Sequence, residues 1–321
     1  MKKKMMALLL VTAMSVMSLT GCGEKQEKVY NVGICQLVEH AALDAATEGF
    51  QDALKEKLGD RVKFNLQNAQ GEQTTASTIC NGFVSDGVDL ILANATSPLQ
   101  AAAAATTSIP ILGTSVTDYA TALEMSDWTG TTGRNISGTS DLAPIAEQED
   151  MLVELFPDAK MVGLLYCSAE ANSLYQVELF GAALEEDGIA YKTYPIADTN
   201  EVQAVTTAAV GECDVLYIPT DNTLASVTET VYNVVAPAKV PVIAGEEGIC
   251  GGCGVATLSI SYYDLGYTTG EMAYEILEGG ADITSMDVRF APNVTKKYNA
   301  AICAELGITA PADYVAIEKA E

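Results

Sequence analysis

The chain has 321 residues, 43 of them acidic against 17 basic, and a formal net charge of -26 at pH 7. So acidic a chain repels nucleic acid and anionic lipid headgroups, which excludes both as partners and leaves its charge as a source of solubility. A single histidine, His40, excludes a histidine-rich metal site and a two-histidine acid–base relay.

Lys2, Lys3 and Lys4 precede the apolar run Met5 to Val16, the pattern of an export signal, and that run is too short to span a bilayer. It ends in Leu19-Thr20-Gly21-Cys22, which resembles the lipobox of bacterial lipoproteins, where cleavage precedes a cysteine that then carries lipid. Residues 1–21 are therefore expected to be a signal peptide, Cys22 the lipid attachment site and 22–28 a polar tether. Each buried methylene of the lipid would contribute roughly 0.8 kcal/mol to an anchor on the extracytoplasmic face of the cell membrane. No later apolar run is long enough for a second membrane segment. The seven cysteines after Cys22 form an odd set that cannot pair completely, and contexts such as Val32-Gly33-Ile34-Cys35 predict small buried hydrophobes.

From Val29 onward, short β-branched runs alternate with helical patterns, the signal of parallel sheets built from βαβ units. The first set is strand Val29 to Gln36, helix Leu43 to Leu58, strand Val62 to Asn68, helix Gln73 to Asp86, strand Val88 to Ala93, helix Gln100 to Thr107 and strand Ile109 to Leu112. The Gly- and Thr-rich stretch Trp128 to Thr139 follows, and Gly130-Thr131-Thr132-Gly133 within it reads as a segment connecting two lobes. A second set then runs through helix Leu142 to Phe156, strand Met161 to Tyr166, helix Ser173 to Glu186, strand Ala190 to Pro195, helix Glu201 to Ala209, strand Val215 to Pro219, helix Leu224 to Ala236 and strand Pro241 to Ala244. A further helix, Tyr262 to Leu277, is placed to cross back. Two lobes with a cleft are predicted, the N-terminal one from 29–140 and 262–285, the C-terminal one from 141–261 and 286–321.

Ligands of open parallel sheets bind beyond the carboxyl ends of the strands. Six loops stand there, carrying Glu39 and His40; Thr96 and Ser97; Ser115 and Thr117; Ser168, Glu170, Asn172 and Ser173; Asp221 and Asn222; and Glu246. Hydroxyls and amides with a few acids suit a small zwitterion, whose carboxylate takes hydroxyl and backbone donors and whose ammonium takes an acid. The positive end of a helix after Ser168 suits the carboxylate. Ser, Thr, Asn and Asp also cap helices routinely.

The segments Val32 to Asp44, Asn68-Ala69-Gln70-Gly71, Ser115-Val116-Thr117-Asp118, Ser168 to Ser173, Pro219-Thr220-Asp221-Asn222 and Tyr262-Tyr263-Asp264-Leu265-Gly266 resemble the ABC transporter substrate-binding lipoprotein family that includes binders of tryptophan and other aromatic amino acids. The resemblance implies an α/β, two-lobed periplasmic-binding-protein type I fold, each lobe a parallel sheet flanked by helices, with three crossovers. It implies a monomer without cofactor, metal or enzymatic activity that delivers an amino acid, aromatic such as tryptophan or phenylalanine, to ABC permease and ATPase subunits. Ala41 stands where the family usually has proline, and Ser115 where it more often has alanine. Carried over by position, Thr96, Ser97 and the amides near Asn172 and Ser173 would meet a carboxylate, Asp221 and Glu246 an ammonium, and Glu39 and His40 the mouth or the side-chain end of the pocket. A sensor docking on a receptor, or a binder of a sugar or other small polar molecule, are the alternatives.

Other signals carry less. Cys250-Gly251-Gly252-Cys253 lacks a second CxxC or a histidine pair, so a free pair or local disulfide in a turn is expected. Trp128 is expected to pack in a core or hinge.

Overall fold

The computed structural model describes residues 27–291 and 294–317, so the expected signal peptide, Cys22 and most of the tether lie outside the described residues. Its first half runs β1 (Tyr30–Gln36), α1 (Ala41–Leu58), β2 (Val62–Asn68), α2 (Gln73–Asp86), β3 (Leu90–Asn94), α3 (Thr96–Ala105), β4 (Ile111–Val116), α4 (Tyr119–Ala122) and β5 (Ile136–Ser140). In β3, Leu90 and Leu92 pack with Phe50 and Leu54 of α1, while Ile91 and Ala93 pack with Phe83 of α2 and Leu99 of α3. Period-two alternation with both faces covered is why this strand is apolar throughout.

The second half repeats the scheme. It runs α5 (Ile145–Leu155), β6 (Met161–Cys167), α6 (Ala171–Glu186), β7 (Ala190–Ile196), α7 (Val202–Val210), β8 (Val215–Ile218), α8 (Asn222–Ala225), α9 (Thr228–Ala238), β9 (Val242–Ala244), α10 (Glu247–Cys253) and β10 (Ala256–Ser259). The chain then returns to the first sheet through α11 (Tyr262–Leu277) and β11 (Arg289–Phe290), and closes the second with β12 (Thr295–Tyr298), α12 (Ala300–Leu306) and β13 (Val315–Ala316). The six-stranded order is β11-β5-β4-β3-β1-β2 and the seven-stranded order β13-β12-β10-β9-β8-β6-β7. Among the described residues all pairings are parallel except β10 with β12.

The chain passes between sheets after β5, after β10 and after β11, three crossovers. The last falls later than residue 285, because Arg289 and Phe290 pair with Thr139 and Ser140 and Val288 is buried in the first-lobe core. Nor does Gly130 to Gly133 connect lobes: Gly130 accepts from the Val288 amide and Thr132 donates to the Ile136 carbonyl, both within the first lobe. Trp128 stacks on Tyr119 there, ring centroids 6.3 Å apart.

Strands β5 and β10 escape the hydrophobic pattern because Ile-Ser-Gly-Thr-Ser and Ala-Thr-Leu-Ser are short and rich in hydroxyls. The burial of β5 is made possible by hydrogen bonds such as Thr139 Oγ1 to Thr269 Oγ1 at 2.8 Å and Ser137 Oγ donating to the Met286 carbonyl at 3.0 Å. The expected helix from Leu224 is two, α8 and α9, which meet at Val227 (φ -136°, ψ 33°). Cys250 and Cys253 lie on α10 rather than in a turn, and all seven described cysteines are buried and free.

Helix α11 lies against α1 at unusually close range. A Cβ on Gly266 would stand 1.9 Å from the Ala46 carbonyl oxygen, and one on Gly49 2.1 Å from that of Tyr263. Glycine is required at this seam because backbone meets backbone. The pair fixes His40, which precedes α1, relative to Tyr262, which opens α11.

Candidate ligand-binding cleft

The loops after β1 and β8 bring the two lobes together, His40 Nε2 lying 3.2 Å from Asn222 Oδ1. Helix starts line this junction and differ in how they are completed. Asp118, Asp221 and Glu246 cap α4, α8 and α10 with their own carboxylates. Among the described residues no side chain caps α1, α3 or α6. An uncapped first turn leaves amide donors and the positive end of the helix dipole for an outside anion.

The start of α3 is strained as well as uncapped. Ala95 holds φ 105° and ψ 167°, a region that costs a non-glycine residue of order 1–3 kcal/mol. On the neighbouring strand Ser115 has φ 54°, where the β4–β5 register shifts between Gly113 and Val116. Around these turns Asn94 Oδ1, Thr96 Oγ1 and Ser115 Oγ are buried and have no partner among the described residues. Each such atom costs about 1–3 kcal/mol unless something outside the chain bonds it.

The second lobe presents a satisfied network instead. Glu170 Oε2 accepts from Asn222 Nδ2 at 2.7 Å, the Asn222 amide at 3.1 Å and Asn172 Nδ2 at 3.1 Å. Its Oε1 accepts from the Thr223 amide at 2.8 Å and hydroxyl at 2.7 Å. Asn172 also donates to the Thr220 carbonyl, and Ser173 is fully buried beside it. Glu170 thus orients Asn222, whose remaining oxygen is the one that meets His40. Burial holds the His40 imidazole below its ordinary value, against the opposing pull of Asn222, Glu170 and Asp44.

Asp221 accepts from the Leu224 amide at 2.8 Å and the Cys167 amide at 2.6 Å; burial, with Glu170 adding repulsion, pushes its carboxyl up to about 8. Glu246 accepts from the Gly248 and Ile249 amides, and burial pushes it up to about 7. Both expected ammonium acceptors thus already use each oxygen on backbone donors. Thr117 is buried and accepts from Ser140 through its carbonyl. Ser97 is half-buried and Glu39 exposed at the rim. Ser168 is exposed, and its hydroxyl donates to the Ile196 carbonyl rather than toward the junction.

Two residues outside the expected set complete the junction. Asp141, in the first crossover, is 3 % exposed; its Oδ2 accepts from the Tyr262 hydroxyl at 2.9 Å, and its Oδ1 has no partner among the described residues. No motif marks Asp141, and the signal that would have found it is its place immediately after β5, a strand the hydrophobic pattern conceals. A cavity of about 690 Å³ flanks the second crossover, walled largely by apolar surface of α1, α10 and α12, and it shares Glu246 and Tyr262 with the junction.

Residues 31–319 match the family described as ABC transporter substrate binding protein. The chain belongs to this family. It is 38 % identical over 293 residues to a tyrosine-binding protein of Clostridioides difficile (strain R20291), covering 86 % of this chain and 85 % of that one. Among solved ABC substrate-binding structures, it superposes on an ABC domain in complex with L-Trp from Streptococcus pneumonia with TM-score 0.85 at 33 % identity, covering 89 % of this chain and 97 % of that one. A ligand-free, open substrate binding protein with adhesive properties from Clostridium difficile gives TM-score 0.69 at 36 % identity, covering 91 % and 100 %. The lobes here are therefore arranged more like those of the ligand-bound relative than those of the open one, despite the latter's slightly higher identity. A leucine binding protein from Thermotoga maritima at 16 % identity and TM-score 0.59 shares the type I binding-protein fold. Members of this substrate-binding family are binding proteins and not enzymes.

Proposed function

We propose that this substrate-binding protein is a monomeric, lipid-anchored receptor on the extracytoplasmic face of the membrane that captures an aromatic amino acid by lobe closure and delivers it to the permease and ATPase of an ABC importer. The observation that carries the reading is the pair of hydroxyls Thr96 Oγ1 and Ser115 Oγ, buried and without a partner among the described residues, beside strained turns and the uncapped start of α3. Such a cradle suits a carboxylate. The tyrosine-binding and L-Trp-bound relatives support the aromatic class. The pattern of residues 2–22, ending in Cys22, supports the anchor, and 22–28 would serve as tether.

Closure follows from population shift. A ligand that touches both lobes stabilises the state in which they meet, to the extent that its contacts exist only there. At one hundred times its Kd, such a ligand adds about 2.7 kcal/mol, or about 5–10 °C of melting temperature in a chain of this size. Thermal melts of the mature protein against each of the twenty amino acids test the reading: tyrosine, tryptophan or phenylalanine should give the largest shift. No shift with any of them would refute it. Loss of membrane retention in Cys22→Ala cells tests the anchor separately.

A further inference from the structure

We infer that Asp141 is the acceptor of the ligand's ammonium group, and that Tyr262, which holds the other oxygen of this carboxylate from the second crossover, is the residue that positions it. The inference rests on the amino-acid reading above and assigns one half of the zwitterion to a residue.

Three observations converge. First, Asp141 is 3 % exposed and its Oδ1 has no partner among the described residues, whereas Oδ2 accepts from Tyr262 at 2.9 Å. A buried carboxylate with a bare oxygen is costly unless a cation or donor reaches it. Second, nothing among the described residues supplies that cation. The titratable neighbours of Asp141 are Tyr262, Tyr119 and Glu246, with the Thr117 hydroxyl alongside, and none is positive. No ion pair among the described residues includes Asp141. Third, the second-lobe acids of the junction are committed, since Asp221, Glu246 and Glu170 each receive hydrogen bonds on both oxygens.

The placement fits one ligand chemistry. Thr96, Ser115 and Asp141 stand at the carboxyl ends of β3, β4 and β5, which are consecutive in the sheet. Two strand spacings, about 10 Å, separate the outer pair. That leaves room for a carboxylate hydrogen-bonded at one end and an ammonium at the other, with Ser115 between. Because Asp141 lies in one crossover and Tyr262 opens the helix after another, a cation on Oδ1 would also tie the hinge to ligand occupancy.

The test compares the aromatic amino acid of highest affinity with its des-amino analogue, such as phenylalanine with 3-phenylpropionate, by calorimetry on the full mature chain. The proteins are wild type, Asp141→Asn, Tyr262→Phe and Asp221→Asn. Wild type should prefer the amino acid at least 100-fold. Asp141→Asn should bring that ratio to within a few-fold while keeping its affinity for the analogue, which also shows that it is folded. Tyr262→Phe should lower the ratio about tenfold. A ratio that survives in Asp141→Asn, or that collapses in Asp221→Asn instead, overturns the inference and leaves the amino-acid reading intact. Wild-type protein with no affinity for any amino acid defeats both.

Discussion

His40 of the first lobe and Asn222 of the second meet across the cleft, Nε2 to Oδ1 at 3.2 Å, and Asn222 is free to accept there because its Nδ2 is spent on Glu170 at 2.7 Å. The contact couples closure to protonation. Burial at the junction lowers the His40 value below the ordinary 6.5 that the exposed ring of an open form would have, so closing expels a proton. Affinity should therefore be full above about pH 6.5 and fall by up to about tenfold per unit as pH drops toward the lowered value. Asp44 and Glu170 face the ring and moderate the effect. Calorimetry from pH 5 to 8 on wild type and His40→Gln isolates it: the ratio of their affinities should carry the slope, and a flat ratio would remove the coupling.

Thr96 should show opposed effects on stability and binding. Its buried Oγ1 lacks a partner among the described residues, so Thr96→Val, which keeps the shape, should raise the stability of the ligand-free protein by about 1 kcal/mol. The same change should weaken amino-acid binding at least tenfold. Urea unfolding and titration calorimetry on one preparation measure both, and binding at wild-type strength would place the hydroxyl outside the site.

Glu149 on α5 offers a control remote from binding. Its Oε1 is buried and without a partner among the described residues, and burial, reinforced by Asp187 and Asp150, pushes the carboxyl up to about 7. A raised folded value means a stability contribution that is present below the ordinary 4.5 and lost as pH rises through about 7. Glu149→Gln should therefore stabilise at pH 8 by about 1 kcal/mol, discounted for screening by nearby solvent, and be neutral near pH 4. Chemical denaturation at the two pH values checks the sign.

Gly266→Ala should be strongly destabilising, since the new Cβ would lie 1.9 Å from the Ala46 carbonyl oxygen, a backbone atom that cannot step aside. Overpacking of this kind costs about 1–3 kcal/mol or more. Because α1 carries His40 and α11 opens with Tyr262, the surviving folded fraction should also bind less tightly. Circular dichroism melts with parallel titrations would expose the error if the variant melted and bound like wild type.

Much of this protein is already present in its sequence. Apolar runs such as Leu90 to Ala93 have a period and length that only a strand covered on both faces can satisfy, so the alternating α/β plan and two lobes follow from local pattern. The six polar loops follow too, because their place after strands is a matter of chain order. What local pattern cannot carry is which polar group is already satisfied. Asp221, Glu246 and Asp141 are all acids near strand ends, yet the first two meet backbone amides of their own helix starts and the third meets Tyr262, 121 residues away, and is left with a bare oxygen. The same limit hid β5, whose serines and threonines gain side-chain partners from β4, the turn after it, α11 and the segment before β11. Hydrogen-bond satisfaction depends on neighbours brought together by long-range folding, so tertiary structure alone decided which acid remains open to a ligand.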